Sequence, residues 1–112
     1  MALFNITTKQ EFEEKVLKNK KIVLVDFWAG WCPPCVAMAP HLHAVAEELD
    51  ATVDIVKLNI EDKPEYRENQ MLAGEYEVRS IPNMPIFKDG KEVQRLIGLT
   101  PKPQLIDILN AL

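Results

Sequence analysis

The chain has no apolar run long enough to cross a bilayer. Its most apolar stretch, residues 22–25, is broken by Asp26, far short of the ~20 residues that a spanning helix needs. Net positive charge is missing too. With 13 Lys+Arg against 17 Asp+Glu the formal charge is −4, which argues against nucleic acid as a partner. The opening residues, MALFNITTKQ, hold neither a basic leader nor the apolar core of a secretory signal, which places the protein in the cytoplasm unless a leader was removed. No repeat, low-complexity tract or linker divides the 112 residues, so residues 1–112 are expected to form a single domain. At 47% hydrophobic and 27% charged residues the composition is that of a globular protein and excludes disordered and fibrous classes. Cysteine is scarce as well. Two are too few for a secreted disulfide scaffold, yet they stand close together as Cys32 and Cys35.

The surrounding pattern is that of an α/β chain. Thr8 and Glu11 form a capping box with Phe12 and Val16 on one face behind it, which predicts a helix over residues 9–17. Residues 22–27, Ile-Val-Leu-Val-Asp-Phe, are mostly β-branched or bulky and do not alternate, as expected of a central strand buried on both faces. The cysteines then open a long helix marked by Leu42, Val45, Ala46 and Leu49, with a kink expected at Pro40. A second buried strand over residues 53–58 implies a right-handed parallel crossover. A polar helix is expected over residues 61–74, with Pro64 in its first turn and Gly74 at its end. Residues 84–88 and 92–97 flank Asp89-Gly90 as a hairpin, so the sheet is mixed. Thr100 is expected to cap a last helix that begins at Pro101 and buries Leu105, Ile108, Leu109 and Leu112.

Cys32 at the start of a helix places its sulfur against the positive end of the dipole, within reach of the Cys35 N–H, and both effects favour thiolate. Such a thiolate attacks a disulfide in another protein, and Cys35, one turn away, resolves the mixed disulfide. Pro33 and Pro34 remove two donors and lock two φ angles beside it. Asp26, in an apolar strand that leads into the cysteine loop, is expected to have a raised pKa and to serve as a base behind Cys35. Lys57, similarly placed in the next strand, is its expected partner.

Val25-Asp26-Phe27-Trp28-Ala29, Trp31-Cys32-Pro33-Pro34-Cys35, Pro40, Lys57-Leu58-Asn59-Ile60, Ile81-Pro82, Phe87-Lys88-Asp89-Gly90 and Gly98 together resemble the thioredoxin family over essentially the whole chain. The resemblance implies a thioredoxin fold, a five-stranded mixed central sheet flanked by four helices. It implies a monomeric protein-disulfide reductase that uses no metal and no cofactor beyond a redox-active Cys32–Cys35 disulfide, acts on protein disulfides, and is itself reduced by thioredoxin reductase or an equivalent donor. By the same resemblance Pro82 is cis and faces the cysteines. Trp31 flanks the exposed sulfur beside Pro33 and Pro34, and Trp28 packs beneath the loop. Ser80, Ile81, Pro82, Ile97 and Gly98 line an apolar rim for partners. The chain departs from the family pattern at Pro33-Pro34, where Gly-Pro is commonest, at Asn83 after the proline, where Thr is usual, and in about six additional residues between Asn59 and Pro82. Pro85 in an interior strand predicts a bulge or a missing hydrogen bond there.

Other readings of these residues are weaker. A Cys-X-X-Cys pair is also half a zinc site, but His41 and His43 are the only histidines and point about 200° apart on a helix; both are expected to be solvated. A glutaredoxin-like use of glutathione lacks basic residues near the cysteines, and an oxidant or isomerase would need an export leader. The acidic residues between 61 and 77 read as a solvated helix face.

Overall fold

The structure is a computed structural model that describes residues 2–112. In chain order it comprises β1 (Leu3–Asn5), α1 (Lys9–Phe12), β2 (Ile22–Trp28), α2 (Pro33–Glu48), β3 (Val53–Asn59), α3 (Arg67–Glu75), β4 (Asn83–Lys88), β5 (Lys91–Ile97) and α4 (Lys102–Asn110). The strands lie in the order β1-β3-β2-β4-β5, parallel from β1 to β2 and antiparallel from β2 to β5. This is the expected five-stranded mixed sheet with four helices.

The largely apolar run of β2 divides between two cores because successive side chains point to opposite faces. Val23, Val25 and Phe27 join Phe12, Val16, Leu72 and Phe87 under α1 and α3. Leu24 joins Met38, Leu42, Ile55, Met84, Ile86, Leu105 and Leu109 under α2 and α4. Asp26 has the parity of Leu24 and so belongs to the face covered by α2, the helix that carries the cysteines.

Several boundaries differ from expectation, each for a local reason. β1 is three residues long, too short to show a period, and was not foreseen as a strand. Helix α1 has the expected Thr8–Glu11 capping box, but its second half, Glu13–Leu17, is a π-helical turn closed by Lys18 N–H donating to Glu13 O at 2.9 Å. Residues 61–63 are not helical: a 3₁₀ turn at Pro64–Tyr66 precedes α3, and Gly74 lies inside that helix rather than ending it. Helix α2 runs through Pro40, as expected of one long helix with an internal proline. Thr100 does not cap α4; Pro101 occupies the cap, and the Thr100 hydroxyl donates to Gly98 O instead.

Pro85 does interrupt the ladder. The β2–β4 pairs Val23↔Phe87 and Leu24↔Ile86 resume only at Phe27↔Asn83, leaving Pro85 out on that side. The bulge lies next door, between Ile86 and Phe87 on the β5 side, where Val93 is the extra residue. The hairpin turn is as expected, with φ 52° at Asp89 and 77° at Gly90. A Cβ at Gly90 would lie 2.7 Å from Leu17 O. Gly90→Ala is therefore expected to lower unfolding free energy by about 1–3 kcal/mol, measured by urea denaturation; an unchanged midpoint would show that the turn relaxes freely.

Candidate active site

Cys32 is the N-cap of α2, in extended conformation, and its Sγ accepts a hydrogen bond from the Cys35 N–H at 3.3 Å. Pro33 and Pro34 fill the first helical positions, exposed and without an N–H, so the sulfur relies on Cys35 and on the positive end of the helix. The two cysteines form a disulfide with Cα atoms 5.2 Å apart. Cys32 is 5% exposed and Cys35 1%, so an incoming group meets Cys32 first. Trp28, Ala29 and Ile81 pack around the pair, which places Trp28 beneath the loop as expected.

The Ile81–Pro82 peptide is cis, and Ile81 O lies 3.7 Å from Cys32 Sγ. Ser80 is exposed, Ile81 half-buried and Pro82 buried. Gly98 N–H donates to Pro82 O at 2.9 Å, which joins the two segments expected to line the rim. Around them Trp31 is 69% exposed, Ile97 63%, Val36 53% and Leu99 50%. Val36 was missed by sequence reasoning; it follows Cys35 on the outer side of α2, and the apolar residue on an otherwise solvated turn was the available signal. The surface depressions bounded by Lys18, Lys20 and Asp89 and by Ala2, Lys21 and Asp54 flank the start of β2, whereas the cysteines follow its end.

Asp26 is buried, and neither carboxyl oxygen has a hydrogen-bond partner. Desolvation pushes its pKa from 3.8 up to about 7, against a smaller opposing effect of the Lys57 charge. Lys57 is directly opposite Asp26 in the β2–β3 register and buried rather than snorkelling. Lys57 acts on Asp26 through its field rather than by contact. No ion pair joins the two among the described residues; the Lys57 ammonium instead lies 4.5 Å from the centre of the Trp28 ring, so it acts on Asp26 across space.

Glu61, expected on a solvated helix face, braces the site from a loop. Its Oε2 accepts from Gly30 N–H at 3.0 Å and from Asn59 Nδ2 at 2.7 Å. The Asn59 amide and the Gly30 N–H hold its carboxyl below the usual range. Asn69, also unforeseen, is buried and donates to Ile6 O and Asn59 O, both at 3.0 Å, tying α3 to the ends of two strands. Its signal was a polar residue on the stripe completed by Leu72 and Ala73. His41 was expected in solvent; it is half-buried, and its Nδ1 accepts from Lys102 N–H at 3.0 Å.

Comparison with known proteins agrees with this geometry. The thioredoxin family model matches residues 4–111. The chain belongs to the thioredoxin family. It is 43% identical to a thioredoxin of Porphyra purpurea over 103 residues, 92% of this chain and 91% of the relative. It is 40% identical to a thioredoxin of Rickettsia bellii over 106 residues, 95% and 94% of the two chains, and 39% identical to one of Staphylococcus epidermidis over 110 residues, 98% and 97%. As a thioredoxin-family member the chain is a thiol–disulfide oxidoreductase. It works through its own redox-active disulfide without a further cofactor, with disulfide-bearing proteins as substrates and a reductase as electron source. Among the described residues no helix is long and apolar enough to cross a membrane, and no three His, Cys, Asp or Glu side chains converge as a metal site would.

Proposed function

We propose that the chain acts as a monomeric, cytoplasmic protein-disulfide reductase, free of membranes, in which the single domain 1–112 carries the whole reaction. The observation that carries this reading is the N-cap position of Cys32, with its sulfur receiving the Cys35 N–H. In the dithiol form the Cys32 thiolate attacks one sulfur of a protein disulfide. That S–S bond breaks, the partner's first thiolate leaves and takes a proton from solvent, and a mixed disulfide remains. Cys35 then gives its proton to the Asp26 carboxylate and attacks the Cys32 sulfur, which releases the second partner thiolate. Two electrons have passed to the partner, and the Cys32–Cys35 disulfide awaits its reductase.

A group with a pKa of about 7 is suited to accept that proton near neutrality. Support for placing it at Cys35 is its position on the sheet face covered by α2. Lys57 and Trp28 tune the carboxyl from the same side. Trp31, Pro33, Pro34, Ser80, Ile81, Pro82, Ile97 and Gly98 form the contact surface for partners, whose shallow apolar character suits extended segments of many sequences.

The test is a trap. Cys35→Ser is expected to attack normally and then stall, so that mixed disulfides to Cys32 accumulate and disappear on adding dithiothreitol. Absence of such adducts, or adducts formed equally by Cys32→Ser, which keeps only Cys35, would overturn the assignment of roles.

A further inference from the structure

The segment that carries Ile97 and Leu99 has few strand or helix hydrogen bonds of its own, since β5 ends at Ile97 and α4 begins at Lys102. Three backbone N–H groups hold it. Gly98 donates to Pro82 O at 2.9 Å, Thr100 donates to Met38 Sδ at 3.3 Å, and Lys102 donates to His41 Nδ1 at 3.0 Å. The last two acceptors are side chains of α2, the helix that begins at the cysteines. Pro101 at the cap of α4 brings no side-chain acceptor to the helix start, so the imidazole fills the place a capping Ser, Thr, Asp or Asn usually takes.

We infer that His41 is a positioning residue for partner binding: through the Lys102 N–H it fixes the Ile97–Leu99 segment relative to the cysteines. The inference rests on the reading of that segment as part of the partner surface. Met38 stands three residues and His41 six residues beyond Cys35 on one helix, so the thioether and the imidazole set the far end of the rim in the same rigid frame as the reactive sulfur. Thioether acceptors are weak, which leaves the imidazole as the stronger tie. Its lone pair on Nδ1 receives the N–H, so the ring carries its hydrogen on Nε2. The Glu48–Lys102 ion pair at 3.2 Å spans the same two helices, but it is exposed and contributes little. Among the described residues the side chain of His41 hydrogen-bonds Lys102 and neither cysteine nor any proposed contact residue, so its loss disturbs docking and leaves the sulfur chemistry alone.

The test compares His41→Leu, which fills the space without an acceptor, with His41→Asn, whose amide oxygen branches from the same carbon as Nδ1. Each is assayed on insulin, a protein disulfide, and on hydroxyethyl disulfide, too small to reach the rim. For His41→Leu the KM for insulin is expected to rise about three- to tenfold, the effect of one lost hydrogen bond. Its kcat and its rate with hydroxyethyl disulfide should stay within twofold (about the scatter of such assays), and His41→Asn should restore the KM. An unchanged KM in His41→Leu, equal losses on both substrates, or failure of His41→Asn to restore would each overturn the inference. Ile97→Ser with Leu99→Ser, assayed beside them, tests the rim itself: if that variant keeps the wild-type KM for insulin, the reading of the partner surface fails, and not only the role of His41.

Discussion

Cys32→Ser is expected to abolish insulin reduction with dithiothreitol as electron source, a loss of roughly a thousandfold or more. The sulfur owes its reactivity to ionisation, and the site is arranged for that: Cys32 caps α2, the Cys35 N–H points at it from 3.3 Å, and the two prolines between them have no N–H to offer. A serine hydroxyl in the same place receives the same hydrogen bond but remains protonated near neutral pH, so it neither attacks nor leaves. Activity that survives in this variant would mean that another group starts the exchange. Cys35→Ser separates the steps, because it retains the attack and loses the resolution.

Asp26→Asn is expected to stabilise the oxidised protein by up to about 4 kcal/mol at about pH 8, the value that corresponds to moving a carboxyl pKa from 3.8 to about 7. The folded state holds this proton more tightly than the unfolded chain. Stability contributed by the neutral acid is therefore fully present below about pH 3.8, declines as pH rises through the interval up to about 7, and does not recover above it. The amide keeps the shape and carries no charge, so that decline should vanish in the variant. Urea denaturation of both proteins across this range measures the effect, and the oxidised form is used because its disulfide leaves no thiol to titrate. Parallel pH profiles for the two proteins would show that the carboxyl is relieved by a partner or by water. The same substitution should slow release of the mixed disulfide, so the variant trades turnover for stability.

The parts of this fold that follow a local pattern are legible in the sequence. The largely apolar run of β2, the turn dipeptide Asp89-Gly90 and the apolar stripe of Leu105 and Leu109 each carry a signal that sets the element type. The cysteine site was readable because its chemistry depends on local spacing alone. Other features depend on which elements meet. Nothing near His41 in sequence announces Lys102, 61 positions later, and Glu61 looks like one more surface acid until Gly30 arrives beside it. Asp26 and Lys57 were both singled out as charges in apolar strands. That the ammonium prefers the Trp28 ring to the carboxylate follows from side-chain directions that spacing does not contain.

The bulge at Val93 has a consequence for how this molecule lives with its own copies. β5 is an outer strand whose free side would accept another chain by strand addition. Lys91, Glu92 and Arg95 place charges along it, and the extra residue breaks its regular hydrogen-bonding rhythm. A second molecule that approaches this side of the sheet thus meets charges and an irregular ladder, both of which oppose strand addition at β5.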